Sequence, residues 1–133
     1  MTDYFNTQLT EEQLQSMSVL GLAHIGDGVY ELLVRTWLCA HGKTTSKGLH
    51  NETVKFVKAP AQAKAVAKIM EKFSDAELSA FKRGRNAKVN SVPKNADISD
   101  YHAATGLETL FGYLYLKGER DRINELFGFI VEE

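Results

Sequence analysis

Two carboxylates interrupt apolar runs of this chain. In "LAHIGDGVYELLV", residues 22–34, Asp27 lies between Gly26 and Gly28; in "ATGLETLFGYLYL", residues 104–116, Glu108 lies among leucines and aromatics, again beside glycines. Residues three and four apart share one face of a helix. That rule groups Ala23, His24, Asp27 and Glu31 on one helix and Tyr101, Thr105 and Glu108 on another, with the opposite faces carrying the core aliphatics. An acid on such a boundary must be hydrogen-bonded, paired or bound to a metal. One carboxylate from each of two helices suits Mg²⁺, with Mn²⁺ able to substitute, because Mg²⁺ takes oxygen ligands and keeps several waters. Such an ion activates water and neutralises phosphate charge. Taken singly, an acid near a helix start is more often a cap or an ion-pair partner, and the spacing does not establish that the two helices meet.

A second feature is electrostatic. Net charge is −1, from 16 Lys and Arg against 17 Asp and Glu, so no global basic field marks a nucleic-acid binder. Yet "SAFKRGRNAKVNSVPKNA", residues 79–96, holds Lys82, Arg83, Arg85, Lys88 and Lys94 with no acid. Such a run is often plain solvated surface. It also suits contact with double-stranded RNA, which is read mainly through phosphates and 2′-hydroxyls.

The elements that position these groups read as helices. "TEEQ" at Thr10–Gln13 and "SDAE" at Ser74–Glu77 have the capping-box form. The first opens a short helix expected to end near Gly21. A second helix is expected from about Leu22 to Ala40, where Leu22, Ile25, Val29, Leu32, Leu33 and Thr36 recur at helical spacing. A third covers Ser46 to Lys58 and stops before Pro60. Helices then follow over "PAQAKAVAKIMEKF", over the segment carrying "FKRGR", from an Asp97 cap through Lys117 to Gly118, and over "ERDRINELFGFIVEE", with a loop at 84–97. Trp37, Leu38 and the aromatics of "LFGYLYL" read as core or as a dimer interface. The expectation is an all-α single domain over residues 1–133. No apolar run approaches the roughly 18 residues that span a bilayer, and "MTDYFNTQLTEEQ" lacks the basic start and apolar stretch expected of a signal peptide. A single cysteine, Cys39, excludes an intrachain disulfide and fits a reducing cytoplasm.

These stretches resemble a known family. "LAHIGDGVYELLV" is similar to the ribonuclease III signature helix, and "HAATGLETLFGYLYL" to the later helix that carries that family's last metal-binding glutamate. "RGRNAK" and "KNADISDYHAATGLETLFGYLYL", with no double-stranded-RNA-binding domain expected to follow, resemble the Mini-ribonuclease III group. The likeness spans the chain from about residue 18. It implies a helical bundle of about seven helices, the ribonuclease III endonuclease domain, working as a Mg²⁺-dependent homodimer that cleaves double-stranded RNA. It further implies maturation of the large-subunit (23S) ribosomal RNA precursor, with a ribosomal protein as a stimulating partner and no membrane. Asp27 and Glu108 match the catalytic, metal-binding acids; Arg83, Arg85, Asn86 and Lys88 match the RNA-contacting loop.

Full-length ribonuclease III has a glutamate where this chain has Ala23 and an aspartate where it has Thr105, so half of a four-carboxylate site is absent. Waters, the Thr105 hydroxyl or Asp100 are candidate substitutes. His24, beside Asp27, is a candidate contact for RNA or the ion. Tyr101 is a candidate to orient Glu108, and Glu31 is a candidate second support or a surface acid. Asp97 and Asp100 are better explained by capping. The missing acids leave a second reading, a catalytically inactive RNA-binding helical module. A helical nucleotide pyrophosphohydrolase is a third, disfavoured because no E-x-x-E or E-x-x-D step occurs.

Overall fold

The computed structural model describes residues 2–42, 45–88 and 97–132. Among these there are seven α-helices and no strand: α1 Glu11–Ser16, α2 Val19–Ala40, α3 Ser46–Val57, α4 Ala59–Ile69, α5 Asp75–Arg85, α6 Ile98–Lys117 and α7 Arg120–Ile130. One 3₁₀ turn, Met70–Lys72, follows α4 directly. Local chemistry sets most boundaries. Both capping boxes form: Thr10 and Gln13 exchange hydrogen bonds at α1, and Ser74 and Glu77 do so at α5. Asp97 accepts from the Ser99 and Asp100 amides at the start of α6, whose end is Gly118 in the left-handed conformation, φ 89°.

Of the boundaries that differ from expectation, two flank the helices that carry the candidate residues. The second helix begins at Val19 rather than near Leu22, because Ser18 caps it by accepting from the Gly21 amide. Gly21 therefore lies inside α2 and ends nothing. In the other case α5 carries its turns through Arg85 before Asn86 closes it, so the segment expected to loop from 84 starts later; residues 89–96 lie outside the described residues.

Helix α6 is the centre. Residues Thr109–Leu114 are all buried, so it is covered on every side, and α1, α2, α4, α5 and α7 pack onto it. Two of these contacts are made by glycines. A Cβ on Gly26 of α2 would lie 1.6 Å from the Glu108 carbonyl oxygen, and one on Gly112 of α6 would lie 1.9 Å from the Leu22 carbonyl oxygen. The α2 and α6 backbones thus touch with no side chain between them. Gly84 and Gly106 seat α5 on α6 in the same way, against Thr109 and Phe81.

This geometry overturns the expected orientation of α2. Its buried face is Leu22, Ala23, Gly26, Tyr30, Val34 and Leu38. The periodic aliphatics Ile25, Val29 and Leu33 are only partly covered, and Leu32 is 60% exposed. The close crossing needs the stripe that contains Gly26 and Ala23, which turns the larger aliphatics outward. Trp37 is half-buried, stacked with His41 and edge-on to Phe56, while Leu38 and Phe111 are core.

Elsewhere Arg122 of α7 ties three elements together. It donates to both Glu77 carboxylate oxygens at 2.8 and 2.9 Å, to the Lys72 carbonyl and to Glu125. Burial pushes the Glu77 carboxyl up, but Arg122 and the Ser74 amide bring it below the ordinary glutamate value. The α2–α6 crossing has a direct test. Gly26→Ala must drive the two backbones apart and is expected to cost at least about 3 kcal/mol, the upper range for overpacking. Urea unfolding measures it; a loss under about 1 kcal/mol would contradict the described contact.

Candidate active site

The crossing at Gly26 and Gly112 places the carboxylates that follow it side by side. Asp27 is one residue beyond the contact on α2, and Glu108 is the residue whose carbonyl rests against Gly26. Asp27 is exposed at the rim and Glu108 is partly buried beneath it. Burial, then the neighbouring Asp27 charge, push the Glu108 carboxyl up to about 7, while a hydrogen bond from Gln62 opposes the shift and one shared with Asp27 adds to it. Two carboxylates held this close repel one another unless a proton or a cation lies between them. Strongly perturbed acids of this kind mark functional sites.

The third side chain comes from α4 and was not anticipated. Gln62, 2% exposed, donates from Nε2 to the Val57 carbonyl at 2.7 Å and to Glu108 Oε2 at 3.3 Å. Its Oε1 is buried without a protein partner. A signal for it existed in the sequence: Gln62 shares the stripe of Ala65, Val66 and Ile69, where a polar residue must have a buried partner. Among the described residues no three His, Cys, Asp or Glu side chains cluster, so the site offers two carboxylates and one amide. All are oxygen donors, and an unpartnered buried Oε1 stands beside the acids. This set fits a hard divalent cation such as Mg²⁺ or Mn²⁺.

The other candidates are placed as follows. Ala23 is buried against the crossing. The Thr105 hydroxyl donates to the Tyr101 carbonyl at 3.0 Å, within its own helix. The Tyr101 ring lies edge-on to His102, and the side-chain hydrogen bond expected from Tyr101 to Glu108 comes from Gln62 instead. Glu31 pairs with Arg35 at 2.8 Å. Asp100 sits in the first turn of α6, which Asp97 caps. His24 is exposed one turn before Asp27.

The basic segment divides. Arg83 turns inward: its guanidinium donates to the carbonyls of Leu14, Gln15 and Met17 and closes the C-terminal end of α1. Arg85 lies over the Phe81 ring, 5.6 Å from its centre, and donates to Asn86. Lys88 is exposed. Arg85 and Asn86 line a pocket between α4, α5 and α6 with Phe81, Ser99 and His102.

On another face of α2 the outward aliphatics form an apolar groove. Ile25, Val29, Leu32 and Leu33 line it with Phe5 and Ile123, and Gly28 leaves it open, with nothing within 4 Å of where a Cβ would stand.

Paired acids across two glycine-packed helices, in a bundle that also exposes a basic segment at the end of α5, define a helical nuclease-like domain. A family model, the ribonuclease III domain, matches residues 20–119. The chain is 43% identical to a Mini-ribonuclease 3 of Clostridium tetani over 98% of this chain and 88% of that protein. It is 45% identical to one of a Thermoanaerobacter species over 96% and 90%. A crystal structure of a Fusobacterium nucleatum protein superposes with a TM-score of 0.81 at 25% identity, covering 90% of this chain and 92% of that one. The chain belongs to the ribonuclease III family, in its Mini-ribonuclease III group, and is an endoribonuclease of that type.

The raised Glu108 carboxyl has a consequence for stability. The folded metal-free protein holds that proton up to about pH 7, whereas the unfolded chain releases it near 4.5. Between those values the folded state binds more protons, so this group's contribution to stability falls as pH rises. Glu108→Gln removes the fall. In chelator at pH 8 the variant is expected to melt about 5 °C above the wild type, with the difference vanishing near pH 4.5; equal melting at pH 8 would contradict the placement of the two acids.

Proposed function

We propose that residues 1–133 act as a single catalytic domain that cleaves double-stranded RNA with a divalent cation, Mg²⁺ or Mn²⁺. The observation that carries the reading is the pairing of Asp27 and Glu108 across the α2–α6 crossing. These two carboxylates would hold the ion, which supplies an activated water and offsets charge on the phosphodiester. Glu108 must release its proton to bind, and the Gln62 amide helps by donating to the carboxylate form. Asp27, at the rim, faces the phosphate approaching from solvent. Arg85, Asn86 and Lys88 supply the backbone contacts that suit an A-form duplex, whereas the Arg83 guanidinium already holds α1. Thr105, Tyr101 and Glu31 have the other partners described above, and with Asp100 and His24 they stay outside the core of this proposal.

Two considerations support a homodimer. A cut through both strands needs two sites, and the described residues of one chain hold one such pair of acids. The groove of Ile25, Val29, Leu32 and Leu33 gives each copy an apolar face, of the kind that marks an interaction site. Membership of the Mini-ribonuclease III group supports the large-subunit ribosomal RNA precursor as substrate, a ribosomal protein as stimulating partner, and a cytoplasmic location. No helix among the described residues is long and apolar enough to cross a membrane.

End-labelled duplex RNA incubated with Mg²⁺, or with chelator, tests the chemistry. Cleavage of both strands by the wild type is expected, lost in chelator and reduced at least about a hundredfold in Asp27→Asn and in Glu108→Gln, with duplex binding kept. A wild type that binds several duplexes and cuts none would make the protein an RNA-binding module instead. For the dimer, Leu32→Glu is expected to halve the mass seen by sedimentation equilibrium; a wild type that sediments as a monomer at micromolar concentration would refute it.

A further inference from the structure

Gln62 is a neutral side chain that hydrogen-bonds the acidic pair, and its setting fixes how it does so. It is 2% exposed, from the first turns of α4. The Val57 carbonyl, 2.7 Å from Nε2, accepts only a donor, so the amide cannot turn over without placing two oxygens against each other. That locks Nε2 towards Glu108 Oε2, at 3.3 Å, and leaves Oε1 on the other branch of the same planar group. Oε1 is buried and has no protein partner. A buried carbonyl oxygen without a donor costs free energy that burial of Ala65, Val66 and Ile69 nearby does not require, and an apolar residue of similar size would avoid it. The molecule keeps the amide where a leucine would pack.

We propose that Gln62 is a positioning residue of the metal site: its Nε2, oriented by the Val57 carbonyl, holds the Glu108 carboxylate in place, and its Oε1 accepts a hydrogen bond from a water on the bound cation. This rests on the reading of Asp27 and Glu108 as the metal ligands. It explains how a site with two carboxylates keeps the order that more acids would otherwise impose. Groups that orient metal ligands from behind in this way change metal affinity by about 10–100-fold when removed.

The test is Mn²⁺ binding to the RNA-free protein, followed by electron paramagnetic resonance, with melting in chelator measured alongside. Gln62→Leu is expected to melt at or above the wild-type temperature in chelator and yet to weaken Mn²⁺ binding about tenfold or more. Its cleavage loss should be recovered by raising Mg²⁺, with KM for RNA unchanged. Gln62→Glu keeps oxygen at the Oε1 position but loses the Nε2 donor to Val57 and Glu108, and is expected to melt lower than the wild type in chelator. A packing role leaves leucine harmless in both measurements. If leucine does not fold, Gln62→Met replaces it with the same expectation. Wild-type Mn²⁺ affinity in the leucine or methionine variant overturns the proposal, and so does a glutamate variant as stable in chelator as the wild type. Asp27→Asn separates the two levels: if it too binds Mn²⁺ as the wild type does, the metal-site reading itself has failed; if it alone loses the ion, only the role of Gln62 has.

Discussion

The rest of the molecule depends on a backbone-to-backbone contact. Gly26 and Gly112 allow α2 and α6 to touch with no side chain between them, so that a Cβ on either would fall within 2 Å of a carbonyl oxygen on the other helix, far inside van der Waals contact. Close approach by small residues has two effects here. It holds the chain segments on either side in a fixed register, and it brings residues adjacent to the contact nearer than side-chain-filled helix packing would. Asp27 and Glu108 are those residues. Packed helices usually lie about 8–10 Å apart; removing the side chains from the interface lets two short carboxyl groups share one site.

That proximity works against folding. Two acids, one of them partly buried, sit together with one amide donor, and the Glu108 carboxyl is pushed up to about 7 as a result. A core that only had to be stable would place apolar side chains at these positions. The molecule offsets the cost elsewhere. Arg122 ties α7 to Glu77 and to the turn after α4, Arg83 closes α1, and Tyr113 and Lys117 hold Glu11 against α6. None of these ties involves the acidic pair, and among the described residues no salt bridge reaches Asp27 or Glu108. An ion pair to either acid would satisfy its charge and remove its reason to bind a metal.

The same crossing accounts for the outward face of α2. A helix has one face to give to a close contact, and α2 gives the face holding Ala23 and Gly26. Ile25, Val29, Leu32 and Leu33 then have nowhere to go within the chain and line a groove with Phe5 and Ile123. Ala23 stands where full-length ribonuclease III carries a glutamate, and it lies buried at the contact. The reduced acid count and the tight packing of this helix are therefore two aspects of one surface. Those exposed aliphatics are the face that the proposed dimer would cover.

Much of this was legible before any coordinates. Capping residues are local: Thr10, Ser74 and Asp97 must find amides within three residues, so the starts of α1, α5 and α6 followed from the sequence, as did the stop at Gly118. Asp27 and Glu108 stood out because a charge in an apolar run needs a reason. Tertiary structure decided what depends on distance across the fold. Periodicity shows that α2 has an apolar stripe but cannot say which of two stripes meets a neighbour, since glycine and alanine carry little hydrophobic signal and yet permit the closer contact. Gln62, 46 residues from Glu108, and Arg83, whose carbonyl partners lie at Leu14–Met17, could be assigned only once α4 and α5 were laid against α6, because a hydrogen bond has a length and a direction while a sequence has only an order.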